Sequence, residues 1–300
     1  MRTKLNRHFV FPLFVFSAVI ALLTGCEKNV TVAVPNGDEE VVVEGYIETG
    51  KNPQVLLSRT LPFFGEVNTS NVLQNLIPGA TVIVNNGTVS DTLQSFSGYY
   101  FSTTMIGEVG KTYTLTVHVN SKTITSVTTI PAPVKLDSVW WKVDGQRDSL
   151  GFAWGHLTDP DTIGNCYRWF AERINRYTFG PDSGRVKDST FIAPLGGSVF
   201  EDKFINGRSF DISFPRGSFS FSSKEDDVND EKYFFKRGDT IIVKFCAIDR
   251  AHFQFWRSEE TQIGNNGNPF GSPAPVISNI VGGLGIWGGY SPAFDTIIAR

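Results

Sequence analysis

Over most of the chain apolar and polar residues alternate in short runs and do not follow helical spacing. In the run from Lys111 to Val119, Tyr113, Leu115, Val117 and Val119 fall on one face, and Thr114, Thr116 and His118 on the other. That period of two predicts a strand with one buried side. Comparable runs at 41–47, 54–59, 78–84, 98–101, 123–130, 134–143, 150–154, 165–177 and 239–248 predict further strands, as do the phenylalanines alternating with polar residues over 205–223. Turn residues separate them, among them Asn85-Asn86-Gly87 and Asn120-Ser121-Lys122. A loop is expected over 61–76. The period changes at 249–263, where an aspartate start is followed by Phe253, Trp256 and Ile263 near helical spacing, with Glu259 and Glu260 expected to be exposed, predicting a helix. The glycine-rich segment 279–290 reads as a loop, with a last strand at 294–299.

Strands at this spacing, with almost no helix between them, predict an all-β fold: two immunoglobulin/fibronectin-III-like β-sandwich domains with one short helix near the C-terminus. Pro131-Ala132-Pro133 marks the expected boundary, giving a first domain at 38–132 and a second at 133–300. Composition fits this. The 300 residues are 41% hydrophobic, 13% aromatic and 19% charged, too apolar for a disordered chain, and the 25 phenylalanines against 2 methionines favour strands. The net charge of −3 offers no basic excess for phosphates, so nucleic acid is not an expected partner.

The N-terminus differs from the rest. Arg2, Lys4 and Arg7 precede an apolar run from Phe9 to Leu23 that is too short for the roughly 20 residues of a membrane span. It has the form of a secretory signal over 1–25. It ends in Leu23-Thr24-Gly25-Cys26, which resembles a bacterial lipobox, and the resemblance implies cleavage before Cys26 and acylation of its thiol. Several acyl chains make a stable anchor. Cleavage would leave 24 basic and 30 acidic residues, so no electrostatic attraction to anionic lipid is expected and attachment would rest on the lipid. Residues 26–37 read as a lipidated flexible tether, and Glu27 after the cysteine favours the outer membrane.

Longer stretches carry a family resemblance. Gly79-Ala80-Thr81-Val82, Gly98-Tyr99-Tyr100 and Gly110-Lys111-Thr112-Tyr113-Thr114-Leu115 resemble the carboxypeptidase-regulatory-like sandwich. Val42-Val43-Glu44-Gly45, Leu57-Ser58-Arg59-Thr60, Asn165-Cys166-Tyr167-Arg168, Asn268-Pro269-Phe270 and the run Ser278-Asn279-Ile280-Val281-Gly282-Gly283-Leu284-Gly285-Ile286-Trp287-Gly288-Gly289-Tyr290 resemble the domain of unknown function family 4249. The resemblance implies a Bacteroidetes outer-membrane lipoprotein acting beside a TonB-dependent transporter; it supplies location and company rather than an activity. Seven sites of the form Asp-Ser/Thr followed by an aliphatic residue or threonine resemble a Bacteroidetes O-glycosylation sequon. Thr162 and Ser189, in expected loops, are the two candidates; at the other sites the same letters start a strand.

Little in the sequence speaks for catalysis. There is no Gly-x-Ser-x-Gly elbow and no His-Glu-x-x-His helix. His118, His156 and His252 show no ligand spacing and read as surface or interface residues. Glu225, Asp226, Asp227, Asp230 and Glu231 lack the spacing of a calcium loop and read as a solvated acidic segment. Gly283-x-Gly285-x-x-Gly288 has no βαβ context, so it reads as a place of positive φ and close backbone approach, not as a dinucleotide site. No cofactor is expected. Cys166 and Cys246, both in strand-like runs, read as buried free thiols, with a cross-strand disulfide as the alternative. Phe63 and Phe64 in a polar loop, and Trp287 among glycines, are the aromatics least explained as core and are expected to form a recognition surface. The expectation is a non-catalytic accessory or ligand-capture protein; a structural or adhesive surface protein, or an enzyme on glycans or peptides, are the other readings.

Overall fold

In the computed structural model, residues 39–61, 69–176, 185–187, 190–217, 233–265 and 275–300 are described. Cys26 and the leader and tether, Phe63, Phe64, Ser189 and the acidic segment 225–231 lie outside the described residues. The alternation yields the strands β1 (Val41–Glu48), β2 (Gln54–Arg59), β3 (Thr81–Asn85), β4 (Ser90–Thr92), β5 (Gln94–Phe96), β6 (Tyr99–Phe101), β7 (Thr112–Val119) and β8 (Lys122–Thr129). There follow β9 (Ser138–Val143), β10 (Leu150–Thr158), β11 (Cys166–Arg176), β12 (Arg185–Lys187), β13 (Val199–Glu201), β14 (Ser209–Phe214), β15 (Phe235–Lys236), β16 (Thr240–Ile248) and β17 (Leu284–Ile298). A short helix α1 (Thr69–Gln74) occupies part of the expected loop, and the helix α2 (Arg250–Asn265) begins one residue after Asp249. The Asp249 carboxylate caps it, accepting the His252 N–H at 2.8 Å.

One sheet organises the described residues. It has nine strands, in the order β12-β11-β16-β17-β1-β2-β6-β5 with β13 also on β11. Two four-stranded sheets, β4-β3-β7-β8 and β14-β10-β15 with β9 on β10, complete the structure. In the large sheet β1 runs parallel to β17, and the other pairs are antiparallel. The register places Val43, Ile47, Val55, Leu57 and Trp287 in one core with Val82, Val84, Tyr113, Leu115 and Val117 of the first small sheet. Tyr167, Trp169, Ile241, Val243 and Phe245 form a second core with Ala153, Leu157 and Phe214 of the other. The fold is therefore all-β, and each small sheet packs as a sandwich against a different part of the same large sheet.

This corrects the boundary expected at 132/133. That position separates the two small sheets, but Glu39–Arg300 form one compact unit whose large sheet runs through both halves. The cause is a non-local pairing: β17 returns from the C-terminus to lie between β1 and β16. The glycine-rich segment is also corrected. Residues from Leu284 onward form a central strand continuous with the expected last strand. Close backbone approach is nevertheless what its glycines serve. Gly285 has φ +111°, and a Cβ there would stand 1.9 Å from the carbonyl oxygen of Val43.

Candidate functional site

The two small sheets cover one face of the large sheet. Its other face carries the even-numbered side chains: Tyr46 and Glu48 of β1, Arg168 and Phe170 of β11, Lys244 and Cys246 of β16, and Tyr290 of β17. Helix α2 lies over part of this face, packing Phe253 and Trp256 against Cys166, Cys246, Ile248 and Tyr290. Asp249 also fixes the start of the helix to β8, accepting the Thr128 hydroxyl, while the same hydroxyl accepts the Gly289 N–H at 2.7 Å. Farther along the helix, Glu260 accepts the backbone N–H groups of Gly197 and Ser198 at 3.0 and 2.8 Å and the Ser198 hydroxyl. The helix is thus tied at both ends before any ligand is considered.

Between these ties is an unusual concentration of buried charge. Lys244 and Glu48 form an ion pair with both side chains less than a tenth exposed, and Lys51 joins Glu48 at 3.1 Å from the rim. Burial alone would raise the Glu48 pKa; Lys244 and Lys51 outweigh it and hold the carboxyl below its ordinary value. The Lys244 ammonium also lies 5.3 to 5.6 Å from the rings of Phe170, Phe191 and Tyr290. Arg168 lies against Trp256 and Phe170, its Cζ 3.4 and 4.7 Å from the ring centroids, and donates to the Tyr290 hydroxyl at 3.3 Å. Desolvation lowers its pKa. Tyr290 is in turn edge-on to Tyr46 at 6.2 Å and to His252 at 4.4 Å, and burial pushes its phenol up to about 12. Burial, with Arg168 nearby, drops His252 to about 3 and keeps the imidazole neutral at physiological pH. Nearer the β5 edge, the Tyr46 and Tyr99 hydroxyls both donate to the side-chain oxygen of Gln54.

This arrangement suits binding better than covalent chemistry. Both thiols on the face are poor nucleophiles, because burial raises Cys166 to about 11 and Cys246 to about 12. Among the described residues no group of three His, Cys, Asp or Glu side chains could hold a metal ion. Aromatic rings surround the two buried cations of this face, Arg168 and Lys244.

The expected site residues fall elsewhere. Trp287 is corrected from recognition surface to core: it is fully buried, lies over Gly45, and donates its indole N–H to the Tyr113 carbonyl at 3.0 Å. Its glycine neighbours let strands close around it and do not open a loop. Cys166 and Cys246 are both buried and free. Cys166 lies opposite Ile248 and Cys246 opposite Arg168, so the two are diagonal neighbours, at a spacing of roughly 7–8 Å that a disulfide does not span. Thr162 is exposed, its hydroxyl 3.1 Å from the Asn165 amide. His118 is exposed as expected and His156 meets Asp211 at 2.7 Å, whereas His252 is corrected to a buried position on the sheet-facing side of α2.

Sequence reasoning missed Arg168, Lys244 and Glu48. The available signal was a lysine inside the apolar run Ile241–Ile248 and an arginine between Tyr167 and Trp169, each in phase with the alternation. No curated protein matches the chain. The family described as "Domain of unknown function (DUF4249)" matches residues 27–294, nearly the whole length, and the chain belongs to that family.

Proposed function

We propose that this protein is a lipid-anchored lipoprotein of a Bacteroidetes outer membrane, a non-catalytic partner that captures ligand for a TonB-dependent transporter. The observation that carries the location is the sequence Leu23-Thr24-Gly25-Cys26 behind a basic and apolar leader, fifteen residues ahead of the first residue of β1. A tether of that length lets an acylated cysteine hold the β-sheet body near the membrane without inserting it. The capture role draws on the aromatic and cationic face beside α2, where the thiols and the imidazole are held in unreactive states. Residues 78–131, with β3, β4, β7 and β8 among their strands, supply the carboxypeptidase-regulatory-like part of the reading. The exposure of Thr162 supports its candidacy as an O-glycosylation site.

The test is mass spectrometry of the mature N-terminus from membranes of the native host, followed by purification in mild detergent. The expected result is a chain starting at an acylated Cys26, released to the soluble fraction by Cys26→Ser, and a TonB-dependent transporter co-purifying with the wild type. An intact leader with an unmodified thiol would overturn the location, and a solitary protein after crosslinking would overturn the partnership.

A further inference from the structure

Arg168 is only 7% exposed yet has no ion-pair partner among the described residues. Its hydrogen bonding is incomplete: Nη1 reaches the Tyr290 hydroxyl at 3.3 Å, and Nε meets no acceptor. The indole Nε1 of Trp256, on whose ring the guanidinium lies, is buried and meets none either. Burying a cation without a hydrogen-bonded counter-ion is costly, and each orphaned donor adds to that cost. Nearby acids offset the charge only in part, and none of them supplies an acceptor to the free Nε. Glu44 and Glu259 act on Arg168 only through space, and both oxygens of Glu260 already serve Gly197 and Ser198. Lys244, the other buried cation of the face, has Glu48.

We propose that Arg168 anchors an oxyanion-binding site between α2 and the large sheet, taking the carboxylate or phosphate group of a small ligand on its free Nε edge, with the Trp256 indole N–H as a second donor. A planar guanidinium binds such groups side-on through two parallel N–H bonds, and an Nε without an acceptor leaves that edge available. The half-buried rings of Phe170 and Trp256 lie against the guanidinium, so an anion that reaches its Nε edge must part them from it. The two rings would hold the apolar part of the same ligand. This deepens the ligand-capture reading and rests on it for its biological meaning. The binding itself needs neither membrane nor transporter.

The test uses the purified full mature protein, titrated with inorganic phosphate in one arm and with acetate in the other, at ionic strength held constant with chloride, and followed by tryptophan fluorescence and melting temperature. A saturable response in either arm, weakened at least tenfold by Arg168→Lys and by Trp256→Phe, is expected, and the responding arm identifies the source of the oxyanion. Arg168→Met should abolish the response while leaving the unliganded protein at least as stable, because it removes a buried charge that lacks a hydrogen-bonded counter-ion; this variant reads the proposal even if Arg168→Lys folds poorly. No saturable response in either arm, or a clear loss of melting temperature in Arg168→Met without ligand, would overturn the site. Failure to find a transporter while anion binding persists would overturn only the partnership.

Discussion

Gly288 of β17 lies directly beneath the imidazole of His252 on α2: a Cβ on Gly288 would stand 2.6 Å from both Cε1 and Nδ1 of the ring. The helix is therefore seated on a strand that lacks a side chain at that point. Its depth in turn brings the imidazole edge-on to Tyr290, 4.4 Å away. Gly288→Ala should lower stability by about 1–3 kcal/mol, the usual cost of overpacking a filled interior. In a double-mutant cycle read by urea unfolding, His252→Ala should recover part of that loss, since the two changes share one contact. Strict additivity would show that the helix does not bear on the strand here.

His252 also sets a pH dependence. Burial and the nearby Arg168 lower its pKa from 6.5 to about 3 in the folded protein. Between those values the unfolded chain binds a proton that the folded chain refuses. Stability is therefore fully present above the unfolded value and falls as pH drops from about 6.5 towards 3, with a slope of up to ~1.4 kcal/mol per pH unit. Denaturant midpoints measured from pH 7 to pH 5 should decline in the wild type and flatten in His252→Gln. A slope unchanged by the substitution would place the titration elsewhere.

Local pattern carried the strands and the helix start well, because both depend on neighbours in sequence. The alternation of β7 and the aspartate cap of α2 occur where they were expected. What could not be read was pairing between distant segments. Nothing near Leu284 announces that Val42 will lie beside it, so a strand threaded between β1 and β16 reads locally as a loop followed by a short strand. The same gap hid the site. Arg168, Lys244 and Glu48 come from three strands that the sequence separates by up to 196 positions, and only the sheet register puts them on one face. Glycines around Trp287 suggest openness by sequence, whereas in the fold they allow other strands to close over its indole.

The two cysteines give a direct chemical check. Both are buried and free, and both pKa values are raised by desolvation, so neither supplies thiolate at neutral pH. Iodoacetamide applied to the native mature protein should leave Cys166 and Cys246 unmodified over hours at pH 8. In denaturant both should alkylate without prior reduction. A requirement for reductant before the second reaction would reveal a bridge and contradict the register of β11 and β16.

The ion pair of Glu48 with Lys244 separates stability from binding. Each partner compensates the other in a setting that disfavours either charge alone, so removing one is worse than removing both. Glu48→Gln or Lys244→Met alone should cost about 3–5 kcal/mol, whereas the double variant Glu48→Leu/Lys244→Met should fall much closer to the wild type. The acid side carries an independent signature. Because the folded Glu48 pKa lies below its ordinary value of 4.5, its contribution is complete above that value and disappears as pH falls through the folded value. Chemical denaturation from pH 5 to pH 3 should show a steeper loss in the wild type than in the double variant, whose remaining fall is that of His252. Equal costs for the single and double changes would mean that Lys51, 3.1 Å from Glu48 at the rim, already supplies the counter-charge and that Lys244 is held by the rings around it.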